Sequence, residues 1–273
     1  MANRLKSLLD RGMPAIGTWV TFTDPYAVEV VADAGFDWLL IDTEHVPIGR
    51  EALRTILVSM NGSASAPIVR LSSNALDYFQ TALDLGAQGV VVPMVSSRAD
   101  AEQAVKYCRY PPLGSRGFAP VRASRYFQDL ERYVAEANRE LSLIVQIETP
   151  AAAGNIDDIL TTTGIDGIFI GPSDLASFMG FPAQIAHPQV ASAVDQLMRR
   201  ARAHSMPFGL PTWSPDECQS YVRRGAQLLT LGSDLSYLSQ NMRSDLSAAR
   251  ALLSEGVPTS SDGPDTGSDG RKG

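Results

Sequence analysis

Three observations predict an α/β fold, and within that class a (β/α)8 barrel of the TIM type. The first is a phrase that occurs four times, as Gly35-Phe-Asp-Trp-Leu-Leu-Ile-Asp42, Gly86-Ala-Gln-Gly-Val-Val-Val-Pro93, Gly164-Ile-Asp-Gly-Ile-Phe-Ile-Gly171 and Gly225-Ala-Gln-Leu-Leu-Thr-Leu-Gly232. Each opens with a glycine of the kind that follows a helix C-terminus. Each then runs through apolar residues without alternation, the pattern of a strand buried on both faces. The second observation is that four further apolar segments fall between these phrases, giving eight strands separated by helices. The third is length: 273 residues suit a barrel of about 250 with little left over.

In chain order the strands are expected at Ala15–Thr21, Gly35–Asp42, Pro67–Leu71, Gly86–Pro93, Ser142–Glu148, Gly164–Gly171, Pro207–Leu210 and Gly225–Gly232. The helices between them carry start signals. Asp24-Pro25 sets a capping acid before a proline at the first helical position, and Ser214-Pro215 repeats the device. Asn74 and Ser97 are expected to open two more helices. Arg109 to Glu140 is too long for one crossover helix, and Tyr110-Pro-Pro-Leu-Gly-Ser-Arg-Gly-Phe118 reads as an ordered loop at the catalytic end. The barrel is expected over 1–253, followed by a polar, disordered tail over 254–273, rich in Ser, Gly, Asp and Pro.

Composition narrows the function. The net charge is −7 with no basic run, and the hydrophobic share is 44%. That gives little support to nucleic-acid or anionic-membrane binding. Two widely spaced cysteines, Cys108 and Cys218, fit no metal or redox spacing and point to a cytoplasmic setting. Met1–Leu9 lacks the apolar core of a signal peptide, and no apolar run reaches the ~20 residues that span a bilayer.

Barrel chemistry sits at the C-terminal strand ends. The fifth strand ends in Gln146-Ile147-Glu148, and the sixth runs into Gly171-Pro172-Ser173-Asp174, so Glu148 and Asp174 should converge at the mouth. Two carboxylates there suit a hard divalent cation such as Mg²⁺ or Mn²⁺. Alternatively Glu148 pairs with an arginine and Asp174 caps the next helix. The third strand ends in Arg70, whose planar fork suits a carboxylate or a developing enolate oxygen, or else forms a structural ion pair with Glu148 or Asp42. The second strand ends in Asp42-Thr-Glu-His45, a spacing that lets Asp42 hold an imidazole that moves a proton. A merely solvated His45 is the plainer alternative. His187 and His204 read as surface residues. The three lysines, Lys6, Lys106 and Lys272, miss every strand end, which argues against Schiff-base aldol chemistry.

As a set, these residues resemble the metal-dependent pyruvate aldolases of the 4-hydroxy-2-oxoheptanedioate and 2-dehydro-3-deoxyglucarate aldolase family, which includes macrophomate synthase. The matching segments include Gly17-Thr-Trp19, Ala34–Asp42, Glu44-His45, Val69-Arg70, Val92-Pro-Met94, Arg109–Pro112, Gly114–Gly117, Val145–Thr149 and Asp166–Leu175, spread over residues 5 to 250. The resemblance implies a barrel of the phosphoenolpyruvate/pyruvate type, a lyase, that reversibly cleaves a 4-hydroxy-2-oxo acid, such as a 2-keto-3-deoxy sugar acid, to pyruvate and an aldehyde. It implies Mg²⁺, Mn²⁺ or Co²⁺ on Glu148 and Asp174, and Arg70 on the keto oxygen. His45, positioned by Asp42, would assist proton transfer. The pyruvyl carboxylate would meet backbone N–H groups near Gly171, Pro172, Ser173 and Asp174, over a floor of Gln146 and bounded by Trp19. Asp84 matches a family acid near the histidine, although on a helix it could equally be a solvated surface residue. Two departures, Gly117–Arg122 and Leu210-Pro211-Thr212-Trp213, would border the distal part of the substrate. Kinship also implies a homohexamer, a trimer of dimers exchanging Asp234–Leu253. Two other readings remain: a lyase acting on a CoA thioester on the same barrel, and a non-catalytic barrel that binds an oxo acid.

Overall fold

The computed structural model describes residues 3–256. After α1 (Arg4–Asp10), strands and helices alternate: β1 (Ala15–Val20), α2 (Pro25–Asp33), β2 (Trp38–Asp42), α3 (Arg50–Ser59), β3 (Ala66–Arg70), α4 (Leu76–Asp84) and β4 (Gly89–Val92). The second half runs α5 (Arg98–Cys108), α6 (Leu130–Glu140), β5 (Ser142–Ile147), α7 (Pro150–Gly154), α8 (Ile156–Leu160), β6 (Gly167–Ile170), α9 (Pro172–Phe178) and α10 (Pro188–Ala203). It closes with β7 (Phe208–Thr212), α11 (Pro215–Arg223), β8 (Leu228–Ser233) and α12 (Asp234–Gly256). The strands form a closed parallel barrel in the order β1 to β8, with β8 returning to β1. The expected fold class is therefore the observed one.

The recurring glycines act as expected of residues that end helices. Gly35, Gly86, Gly164 and Gly225 all have φ near +95°, the left-handed region that only glycine enters without strain. Each is followed by a strand with no exposed residue. Asp24, Ser97 and Ser214 cap their helices through side-chain oxygens, accepting from the N–H groups of Ala27, Asp100 and Glu217. Asn74 does not cap α4; its side-chain amide donates to the Asp100 carbonyl instead, leaving Ala75 at the helix start.

The core has two layers. Residues that point outward from the strands pack under the helices. Residues that point inward, among them Ala15, Trp38, Leu40, Ile68, Val91, Ile144, Phe169 and Leu228, fill the barrel. Close approach of backbones inside the barrel requires glycine at several positions, Gly17 and Gly209 among them. A Cβ at Gly17 would lie 2.6 Å from the Trp38 carbonyl oxygen, and one at Gly209 would overlap the Leu228 carbonyl. A short helix not anticipated from the sequence closes the N-terminal end. Leu5, Leu8 and Leu9 of α1 join the inner layer, and the Asn3 side chain donates to the carbonyls of Gln88 and Glu140.

The Arg109–Glu140 segment is a correction to the sequence reading. It lies at the N-terminal end of the barrel and not the catalytic end. Arg109 donates to the carbonyls of Leu141 and Gly164, just before β5 and β6, and pairs with Asp166 at 2.8 Å. Arg122 binds the carbonyls of Leu57 and Leu85 at the ends of α3 and α4. The physical reason is direction: α5 has already carried the chain back from the mouth before the segment begins.

The chain forms two compact units, one ending at Leu235 and the other beginning at Ser236. Within the second, α12 presents Leu238, Met242 and Leu246 at helical spacing, and all three are exposed. The helix continues through residues 254–256 of the expected tail, and the rest of that tail lies outside the described residues. Among the described residues no helix is long and apolar enough to cross a membrane.

Substituting Gly209→Ala should cost about 2–3 kcal/mol or prevent folding, because the new methyl group meets backbone rather than a side chain that can move. Gly154→Ala, with open space around its Cβ, should leave the urea midpoint unchanged or raise it.

Candidate active site

The register sets the site. Asp42 of β2 pairs directly with Arg70 of β3, so the two side chains emerge together at the mouth. The Arg70 guanidinium donates from Nε and Nη2 to the two oxygens of Asp42, at 3.0 and 2.8 Å. Its Nη1 lies 3.2 Å from Oε2 of Glu44, and its plane sits 4.4 Å over the Trp19 ring. Trp19 in turn meets Phe169 of the inner layer edge to face. An arginine closing an apolar strand is thus buried, with its charge met by two acids and one aromatic face.

Across the mouth, β5 points Ile144 and Gln146 inward, and Glu148 follows one residue past its end. Glu148 is 1% exposed. Its Oε1 accepts from the Met94 N–H at 2.7 Å, and the Gln146 amide donates to Oε2. Met94 reaches this position in the left-handed region, φ +58°, a cost of roughly 1 kcal/mol or more tolerated where the surroundings fix the geometry. Asp174 stands in the first turn of α9, where Gly171 is the N-cap and Pro172 the first helical residue. A Cβ on Gly171 would crowd Glu148 Oε2 at 3.1 Å, so glycine leaves room beside that carboxylate. The inward alternation of β7 brings Pro211 to the same rim.

The electrostatics of the mouth are unbalanced. Burial pushes the Glu44 carboxyl up to about 7; Arg70 opposes this, while the charges of Glu148, Asp42 and Asp174 add to it. Burial also raises Glu148, against the hydrogen bonds from Met94 and Gln146, with Asp174 adding to the rise and Arg70 opposing it. Four carboxylates therefore surround one guanidinium. Among the described residues, Oε2 of Glu44 and Oε1 of Gln146 are buried acceptors that make no hydrogen bond, although Arg70 Nη1 stands near the first. This donor set fits a hard divalent cation with its own water: two carboxylates to ligate, spare acceptors for its aqua ligands and excess negative charge. Among the described residues no group of three His, Cys, Asp or Glu side chains could form a full shell. Water or substrate would have to complete it.

Most residues expected from the sequence come together: Asp42, Arg70, Gln146, Glu148, Gly171 and Asp174 line one mouth, with Trp19 beneath Arg70. Four expectations change. Asp42 does not hold the imidazole; besides gripping Arg70 it accepts from the backbone N–H groups of Glu44 and His45, at 3.0 and 3.3 Å. The His45 ring is 59% exposed and lies 3.9 Å from Glu44. Pro172 has no N–H, so only Ser173 and Asp174 offer free amides there. Asp84 ends α4 at the opposite face, paired with the buried Arg116 at 2.6 Å, so it meets no histidine within its own chain. Gly117–Arg122 lies at that opposite face too, so within one chain it cannot border the substrate. Sequence reasoning missed Glu44 and Met94, although both stand inside quoted motifs. The signal for Glu44 was its place between an acid and a histidine at a strand end.

Comparison with known proteins agrees with this geometry. Residues 15–240 match the family described as HpcH/HpaI aldolase/citrate lyase. The chain is 37% identical over 233 residues to the 5-keto-4-deoxy-D-glucarate aldolase of Escherichia coli, covering 85% of this chain and 91% of that protein. It superposes on a HpcH/HpaI aldolase/citrate lyase family protein from Burkholderia cenocepacia with a TM-score of 0.86, at 31% identity, over 91% of this chain and 99% of the other. Macrophomate synthase matches with a TM-score of 0.83, at 26% identity, over 92% of this chain and 89% of its own. Fold, site and sequence together define a carbon–carbon lyase on a (β/α)8 barrel. The chain belongs to the HpcH/HpaI aldolase/citrate lyase family.

A pH dependence follows from Glu44. Its carboxyl is raised from the ordinary 4.5 to about 7, so the metal-free folded protein holds that proton more tightly than the unfolded chain does. The stability this confers is complete below about pH 4.5 and is lost as pH rises through about 7. The thermal midpoint of EDTA-treated protein should therefore fall between pH 5 and 8, and fall less in Glu44→Gln.

Proposed function

We propose that the protein is a class II aldolase cleaving a 4-hydroxy-2-oxo acid, in the manner of the 2-keto-3-deoxy sugar acids, to pyruvate and an aldehyde. The observation that carries this is the mouth itself: among the described residues, Glu148 and Asp174 have no arginine pair, they face a guanidinium clamped at Arg70, and no lysine stands at a C-terminal strand end. The relative at 37% identity is named for an oxo sugar-acid substrate, which favours that substrate class.

Each residue then has a task. Glu148 and Asp174 would hold Mg²⁺, Mn²⁺ or Co²⁺, which when bound polarises the C2 carbonyl and steadies negative charge on its oxygen. Met94 and Gln146 keep Glu148 oriented through its two oxygens. Arg70 faces the C2 oxygen, where charge develops as the C3–C4 bond breaks, and its hydrogen bond strengthens as it does so. His45 takes the proton of the C4 hydroxyl, directly or through one water; its exposure at the rim suits a group that exchanges protons with solvent. Amides of Ser173 and Asp174, beside the open space at Gly171, receive the substrate carboxylate. Pro211, at the end of β7, borders the part of the substrate that leaves as aldehyde.

The exposed apolar face of α12 supports a homo-oligomer, a hexamer built from dimers that exchange this helix. The buried free thiols Cys108 and Cys218 suit a reducing compartment such as the cytoplasm.

Two measurements test the proposal. With a racemic 4-hydroxy-2-oxo acid, pyruvate release followed through lactate dehydrogenase should stop with EDTA and return with Mg²⁺ or Mn²⁺. Release indifferent to chelator would remove Glu148 and Asp174 from the mechanism. Arg70→Ala should lower kcat by ~10²-fold or more. For assembly, light scattering should give a mass near six chains, and a Met242→Glu, Leu246→Glu double variant should give a smaller one.

A further inference from the structure

Glu44 belongs to no strand and caps no helix, yet its side chain is only 15% exposed. Burying a carboxylate is costly unless a partner compensates it. Its partner is Arg70, and the geometry shows why a second acid is needed there. Asp42 grips the guanidinium along one edge only, through Nε and Nη2. A planar group held by one edge can hinge about it. Oε2 of Glu44, 3.2 Å from Nη1, restrains the opposite corner, and Trp19 lies beneath the plane at 4.4 Å. The contact is one of charge and proximity, for Oε2 makes no regular hydrogen bond within the protein.

We propose that Glu44 is the positioning residue that, with Asp42 and Trp19, fixes Arg70 against the reacting C2 oxygen. This rests on the aldolase reading of the mouth and adds a residue to which that reading gives no task. Glu44 touches no reacting atom; it acts through the guanidinium. Its effect should therefore appear where Arg70 matters most, on the oxygen as it gains charge, and scarcely on the neutral carbonyl of bound substrate.

The test is a double-mutant cycle joined to a binding comparison. In otherwise unaltered protein, Glu44→Ala should lower kcat about tenfold with KM changed less than about twofold. Glu44→Gln keeps the size of the side chain but removes the charge that Nη1 meets, and should recover little of the rate. In an Arg70→Lys background the planar fork is gone, and Glu44→Ala should cost less than about twofold more. Calorimetric titration of the Mn²⁺-loaded protein supplies a readout without turnover. Oxalate, a planar mimic of the enolate, should bind the Glu44→Ala variant about tenfold more weakly, while pyruvate should lose less than about threefold. If Glu44→Ala does not fold, Glu44→Asp, which keeps the charge but withdraws the oxygen, is measured in the same way. An unchanged kcat, an equal loss in the Arg70→Lys background, or equal weakening of oxalate and pyruvate would each overturn the proposal. Failure of the aldolase reading looks different: the unaltered protein would then release no pyruvate with any metal.

Discussion

Four carboxylates gather at the mouth of this barrel, only Asp42 and Glu44 pair with the guanidinium of Arg70, and the rest of the site is arranged around that imbalance. Arg70 can neutralise one neighbour fully and a second in part. What remains, at Glu148 and Asp174, is negative charge partly removed from water, which raises the proton affinity of Glu148. Such a group either takes up a proton or gathers a cation. The Met94 and Gln146 donors favour the charged form, and so favour the cation. A site built this way is poorly satisfied when empty of ligand and best satisfied when loaded, which is the sense in which it is organised for binding.

The opposite end of the barrel has the contrary character. Arg109, Lys6 and Asp166 form a network in which Asp166 meets both cations and the Leu143 N–H. Asn3 ties the chain start to the β4 and β5 entrances, and α1 fills the opening with leucines. Here Arg109, Lys6 and Asp166 meet charges of opposite sign, and the leucines of the closing helix join the inner layer. Barrels divide labour in this way because loops after the strands can vary without disturbing the closed sheet, whereas the loops before them anchor it. The long segment between α5 and α6 belongs to this second end, so its Arg122 secures helix termini.

The repeated glycine phrases were legible because they obey local rules: a left-handed residue ends a helix, and a run of apolar residues follows only where both faces are covered. The same local chemistry marked Asp24, Ser97 and Ser214 as caps. Asn74 fits the capping rule as well but is drawn away by the Asp100 carbonyl, a partner that only the packing of α4 on α5 brings within reach. Direction of travel is equally invisible locally. A proline- and glycine-rich stretch looks alike at either end of a barrel, so Arg109–Glu140 could be recognised as ordered but not placed.

The sequence by itself determined the number of strands, their order and which residues would stand at their C-terminal ends, since periodicity and chain direction settle these without reference to contacts. It therefore named Asp42, Arg70, Gln146, Glu148 and Asp174. Only the tertiary structure decided how those side chains divide among one another. Asp42 turned to Arg70 and to two backbone amides rather than to the His45 ring, because the β2–β3 register sets it directly opposite the guanidinium. Glu44 was drawn inward beside it, and Met94 adopted a strained backbone to meet Glu148. These are choices among competing partners a few ångströms apart, and only the closed barrel fixes those distances.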